Sequence, residues 1–103
     1  MIISGGFNLY PSDLEAVLRE HPGVAEVAVV GVPSERWGET PVAFVVLATG
    51  SAATAAQLLA WANGRLGKIQ RLAALELLDH LPRSAIGKVM KRELRETHRI
   101  TTG

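Results

Sequence analysis

The residue of this sequence best placed to do chemistry is Lys88, which follows Gly87 in LPRSAIGKVMKRELRE, a turn-like stretch just ahead of helical spacing. A glycine–lysine pair first suggests a phosphate-binding P-loop, which needs G-x-x-x-x-G-K-[ST] between a strand and a helix. Pro82 occupies the place of the first glycine and Val89 that of the hydroxyl residue, so the pattern fails at both ends. On spacing alone Lys88 reads as a solvated turn lysine. Ser4, Gly5 and Gly6 offer either a backbone nest that a ligand can approach closely or a plain hairpin turn, and on their own merits the turn is favoured. Trp37, Gly38 and Glu39 read as a loop whose tryptophan stacks on a ligand or, more often, closes over the edge of its own core. His21, His80 and His98 stand apart and lack metal-ligand spacing, so no metal is assigned. Lys91, Arg92, Arg95 and Arg99 alternate with Glu93 and Glu96, the pattern of a solvated helix face.

These residues must be positioned by regular elements. Residues 11–21 predict an amphipathic helix: Pro11 suits its first position, Ser12 and Glu15 can form a capping box, and Leu14, Val17 and Leu18 recur at helical spacing until Pro22 and Gly23. Residues 24–32 are β-branched and nearly continuously apolar, as a buried strand requires, and residues 41–47 (PVAFVVL) predict a second strand. The intervening SERWGET is too long for a two-residue hairpin and reads as irregular cover or a site. A second helix is marked by Leu58, Leu59, Ala62 and Leu66, with a capping box of Thr54 and Gln57 before it and Gly67 placed as a C-cap glycine. Residues 72–78 fit helix or strand on pattern, a strand completing a small sheet. Residues 89–97, with Met90 and Leu94 at i, i+4, predict a short, mostly exposed helix, and residues 100–103 a frayed tail. The fold class is therefore α+β: a small sheet of about three strands flanked by helices, with an N-terminal glycine-containing turn and a short C-terminal helix.

Composition narrows the function. Hydrophobic residues make up 48% of the 103, enough for one domain with a genuine core. Eleven basic against ten acidic residues leave a formal charge of +1, which argues against nucleic acid as a partner. There is no cysteine, so thiol nucleophiles and disulfides are excluded, and cytoplasm is the default compartment. No apolar run approaches the ~20 residues of a membrane span, and no signal-peptide pattern is present.

Taken in order, ISGGFNLYPSDLEAVLREHPGVAEVAVVGVPSERWGETPVAFVVL and LPRSAIGKVMKREL resemble the C-terminal domain of acyl-CoA synthetases, within the adenylate-forming superfamily that includes luciferases and peptide synthetase adenylation domains. The resemblance runs from about Ile2 to Glu96, with several motifs in register, and the S-G-G-F-N-x-Y-P form of the first loop is similar to that of CoA ligases. It implies that residues 1–103 are a lid domain whose partner is the N-terminal ATP- and acyl-binding domain of the same parent chain. The implied reaction joins a carboxylic acid, ATP and CoA, with Mg2+, to give acyl-CoA, AMP and pyrophosphate. Fatty or aromatic acids are the expected substrates. By the same resemblance Lys88 matches the lysine of P-[RK]-x-x-x-G-K that reaches the carboxylate and α-phosphate, with Pro82, Arg83 and Gly87 shaping its turn. Ser4, Gly5 and Gly6 match the loop lining the channel for the pantetheine arm of CoA, and Arg71 a contact for a CoA phosphate. Two departures stand out. Ile69 replaces an aromatic that faces the CoA adenine in relatives, and the lysine–aspartate hinge that precedes Met1 in relatives falls outside the sequence. The isolated domain is expected to be inactive and to bind no cofactor by itself. The alternative is a standalone, non-catalytic binding or interaction module of the same fold.

Overall fold

The computed structural model describes residues 2–4, 6–34, 38–67 and 71–102, with the side chains of residues 4, 7, 34 and 97–102 left aside. Its elements are β1 (Ile2–Ser4), β2 (Phe7–Leu9), α1 (Pro11–Arg19), β3 (Val24–Ser34), β4 (Gly38–Leu47), α2 (Ala55–Arg65), β5 (Ala74–Leu77) and α3 (Lys91–Thr102). The long antiparallel pair β3–β4 runs from Val24 opposite Leu47 to Ser34 opposite Gly38, with one irregularity between Val24 and Glu26. On the other edge of β4 lie two shorter strands. The β1–β2 hairpin joins at Ser4 opposite Gly38, and β5 runs parallel to Val42–Val45. A parallel neighbour needs a long crossover, which α2 supplies. That crossover resolves the ambiguous segment 72–78 as a strand.

Both faces of the β3–β4 ladder are covered, which is why both strands read as almost unbroken apolar runs. Val27, Val29, Ala43 and Val45 pack against Leu14 and Leu18 of α1 and Leu58 and Ala62 of α2. Ala28, Val30, Val42 and Phe44 point the other way, against Leu81 and Leu94. Leu94 is fully buried, so α3 is a packed element with a solvated outer face, and it runs on to Thr102 through residues expected to fray. The α+β expectation holds, with the sheet larger by the β1–β2 ribbon.

Four local expectations are corrected. Tyr10, not Ser12, is the N-cap of α1 and makes no side-chain cap, while Glu15 turns inward to accept from the Val29 amide. Proline at the first helical position and the Tyr10 carbonyl, which accepts from Asp13 N at 3.0 Å, suffice to start that helix. Gly67 is absent from the positive-φ glycines, and α2 instead ends as Leu66 swings into extended backbone at φ −85, ψ 150. Gly38 and Glu39 belong to β4 rather than to a long loop, because the ladder zips to Ser34–Gly38; Trp37 lies outside the described residues. Finally, the helix expected over 89–97 begins at Lys91, since Val89 pairs with Arg83.

The Thr54–Gln57 capping box is present in both directions, with Gln57 N to Thr54 Oγ1 at 3.1 Å and Thr54 N to Gln57 Oε1 at 3.0 Å. Thr54→Ala is therefore expected to cost about 1 kcal/mol. Ser12→Ala, which removes no cap, should stay within about 0.5 kcal/mol. Urea denaturation of the two variants checks both values.

Candidate functional site

Lys88 emerges from a hairpin formed by residues 82–90. Met90 N donates to Pro82 O at 2.8 Å, Arg83 faces Val89 across an antiparallel bridge, and Ser84 N donates to Lys88 O at 2.8 Å. Gly87 N closes the turn on Ser84 O at 2.9 Å, and Gly87 adopts φ +85. This is the three-residue hairpin loop whose last position takes the left-handed conformation. Nothing lies within 4 Å of where a Gly87 Cβ would stand, so the backbone angle rather than crowding asks for glycine.

The hairpin is braced to the sheet. Leu81, at its base, is buried beside Phe44 and Leu94. The Arg83 guanidinium donates to Gly87 O at 2.9 Å and also pairs with the Glu26 carboxylate on β3. Lys88 itself is exposed, and Ile86 at the tip is 88% exposed. Beside Lys88 a cleft of about 640 Å³ opens between Arg19 of α1 and Met90 and Lys91 at the start of α3. Of the turn residues named from sequence, Pro82 supplies a carbonyl, Arg83 a clamp and Gly87 the left-handed corner. Together they present one cation on a hairpin whose internal geometry is fixed.

The glycine segment forms a second hairpin. Ile2 pairs with Leu9, Ile3 with Asn8 and Ser4 with Phe7, and Gly6, in the turn before Phe7, adopts φ +85. Gly5 lies outside the described residues, as do Met1, Lys68, Ile69 and Gln70. Ile3 N donates to Glu39 Oε1 at 3.1 Å, and Ile2 is buried over Gly31, where a Cβ would stand 3.0 Å from Ile2 Cγ1. Arg71 is exposed one residue before buried Leu72, whose N and O are held by the Asn63 side chain at 2.8 and 3.1 Å. Ala73 N then donates to Pro41 O at 2.9 Å, which places Arg71 near the start of β4, the end where β1 is attached.

The structure thus sorts the sequence-predicted residues into two groups. Ser4, Gly6 and Arg71 gather at the Gly38 end of the ladder, while Pro82, Arg83, Gly87 and Lys88 are tied to Glu26, opposite Val46, at the other. Eight residues of β3 separate Glu26 from Ser34, roughly 26 Å at the usual strand rise. One small ligand cannot touch both groups. Sequence reasoning missed the anchoring carboxylates Glu15, Glu26 and Glu39; the visible signal was an acidic residue interrupting an apolar helix face or strand. Among the described residues no group of three His, Asp or Glu could hold a metal, and no helix is long and apolar enough to cross a membrane.

Residues 13–88 match the AMP-binding enzyme C-terminal domain. This chain belongs to that family. It is 46% identical over 92% of its length to 2-succinylbenzoate–CoA ligase of Geobacillus kaustophilus, and 48% identical over 91% to 4-chlorobenzoate–CoA ligase of Pseudomonas sp. strain CBS-3. Among solved structures, ATP-bound MatB from Rhodopseudomonas palustris superposes on 98% of the chain with a TM-score of 0.89 and 40% identity. The chain spans about a fifth of the length of these relatives, 19%, 18% and 20% respectively. As an AMP-binding enzyme C-terminal domain, it is the small domain of a family whose members include adenylate-forming CoA ligases.

The seat of the glycine hairpin gives a structural test. Gly31→Val should drive Ile2 out and unpair β1 while leaving the β3–β4 ladder intact. Amide hydrogen exchange would show this as faster exchange confined to β1 and β2, whereas uniform loss of protection would contradict it.

Proposed function

We propose that this chain is the C-terminal lid of an acyl-CoA synthetase, working with an N-terminal domain of the same parent chain that holds ATP and the acyl group. The observation that carries the reading is the separation just described: a braced, exposed lysine at one end of the ladder, and an open glycine turn with an arginine at the other. A two-step ligase needs these two devices at different moments. In the first step a carboxylate oxygen attacks the α-phosphorus of ATP and the bond to pyrophosphate breaks. Two anions must approach each other there, and the Lys88 ammonium offsets their repulsion and the charge developing on the phosphoryl oxygens. In the second step the CoA sulfur attacks the acyl carbon, its proton is lost, and AMP leaves with the electrons of the acyl–oxygen bond. Ser4, Gly5 and Gly6, with little side chain, leave room for the pantetheine arm, and Arg71 takes a CoA phosphate.

For each end to serve in turn, the lid must adopt two orientations on its partner domain. Mg2+ bound with ATP on the partner domain would supply further positive charge to the phosphates. The substrate class is a fatty or aromatic carboxylic acid, in keeping with the names of the relatives, and the compartment is the cytoplasm. By itself the chain has neither an adenine site nor an acyl pocket in this reading, so it should not catalyse ATP–pyrophosphate exchange.

The two ends predict reciprocal phenotypes in the parent enzyme. Lys88→Ala should lower acyl-AMP formation by roughly 10² to 10³, the worth of one charge-assisted transition-state contact of ~3 to 4 kcal/mol, and spare CoA transfer from supplied acyl-AMP. Gly6→Val should do the opposite, slowing transfer and sparing acyl-AMP formation. Single-turnover assays of each half-reaction measure both, and equal losses in the two steps would refute the division of labour.

A further inference from the structure

We propose that Glu15 and Lys91 are a positioning pair that fixes where Lys88 points, and that Lys91 is not a second substrate-binding cation. The inference rests on the reading that Lys88 serves acyl-AMP formation, and deepens it by assigning the residues that aim the lysine.

Glu15 is only 9% exposed, an unusual place for a carboxylate unless partners hold it. Its Oε2 accepts from Val29 N at 2.8 Å and lies 3.0 Å from Lys91 Nζ. The other nearby cation, Arg19 on the same helix, is 4.0 Å from Oε1 and more exposed. Val29 is fully buried in β3, an edge strand of the sheet, so Glu15 is registered to the ladder itself. Through Glu15, Lys91 is registered to it too.

Lys91 is the first residue of α3 and stands three positions after Lys88. The intervening chain is already pinned by the Arg83–Val89 bridge and the Met90–Pro82 hydrogen bond. Arg83 and Glu26 hold the Gly87 side of the turn, while Lys91 and Glu15 hold the side leading into α3. Without the second hold, the cleft between α1 and the start of α3 leaves the hairpin free to tilt. A displacement of about 1 Å at a reacting group is enough for large rate losses.

The test uses Lys91→Met, Glu15→Gln, the double variant and Lys91→Arg in the parent enzyme. Glu15→Gln keeps an acceptor for Val29 N and removes only the charge. Acyl-AMP formation is expected to fall about tenfold in each single variant and no further in the double, as for residues acting as one unit. CoA transfer from supplied acyl-AMP should stay within about twofold, and Lys91→Arg should recover most of the loss. In the 103-residue chain, Lys91→Met should speed exchange of the Ser84, Gly87 and Met90 amides and leave Val29 protected. Additive losses in the double variant, equal losses in both half-reactions, or no recovery with Lys91→Arg would overturn the pairing. If instead Lys88→Ala left acyl-AMP formation intact, the functional reading would fail, while the exchange result would still report on the pairing.

Discussion

Every other element of this domain is packed on or fastened to the antiparallel ladder of β3 and β4. Ten paired positions, the middle five with both residues buried, make a stiff ruler at the centre of the molecule. Helices α1 and α2 grip one face through Leu14, Leu18, Leu58 and Ala62, and α3 grips the other through Leu94. The buried leucines contribute about 1.5–3 kcal/mol each, far more than any surface ion pair, so the ladder sets the frame and the polar contacts hang from it. Neither hairpin that carries a candidate site residue is part of the ruler. Each is fastened to one end of it.

The fastening is done by three carboxylates. Glu26 reaches from β3 to Arg83, Glu15 from α1 to Val29 N and Lys91, and Glu39 from β4 to Ile3 N. The Arg83–Glu26 pair is half exposed and worth little as stability. Its value is geometric, since the same guanidinium also holds Gly87 O and so sets the turn from which Lys88 projects. A carboxylate that accepts from a buried backbone amide is worth more, about 1.5–3 kcal/mol, and also blunts the open edge of β3, where unpaired amides would invite another strand. A near-neutral net charge is thus compatible with a strongly polar site, because part of the acidic complement is spent on bracing.

Much of the fold was legible because its causes are local. The buried strands announced themselves as apolar runs, Pro11 marked the start of α1, and Thr54 with Gln57 marked that of α2. What escaped was set by distant partners. Glu15 looked like half of a capping box until β3 placed Val29 N, and α3 placed Lys91, beside it, and Lys91 looked solvated for the same reason. Segment 72–78 could not declare itself a strand, since only the parallel edge of β4 makes it one. The candidate site residues were named through resemblance, but their partition between two ends of the sheet is a property of topology that no spacing in the sequence contains.

That partition can be measured on the chain itself. The sequence has no cysteine, so spin labels can be placed at will. Asn8, exposed beside the glycine turn, and Ile86, exposed at the tip of the lysine hairpin, report the two ends. Double electron–electron resonance on the Asn8→Cys/Ile86→Cys variant should give a distance beyond about 20 Å, as eight residues of strand between the anchors require. A distance under about 15 Å would bring both hairpins within reach of one ligand and contradict the account.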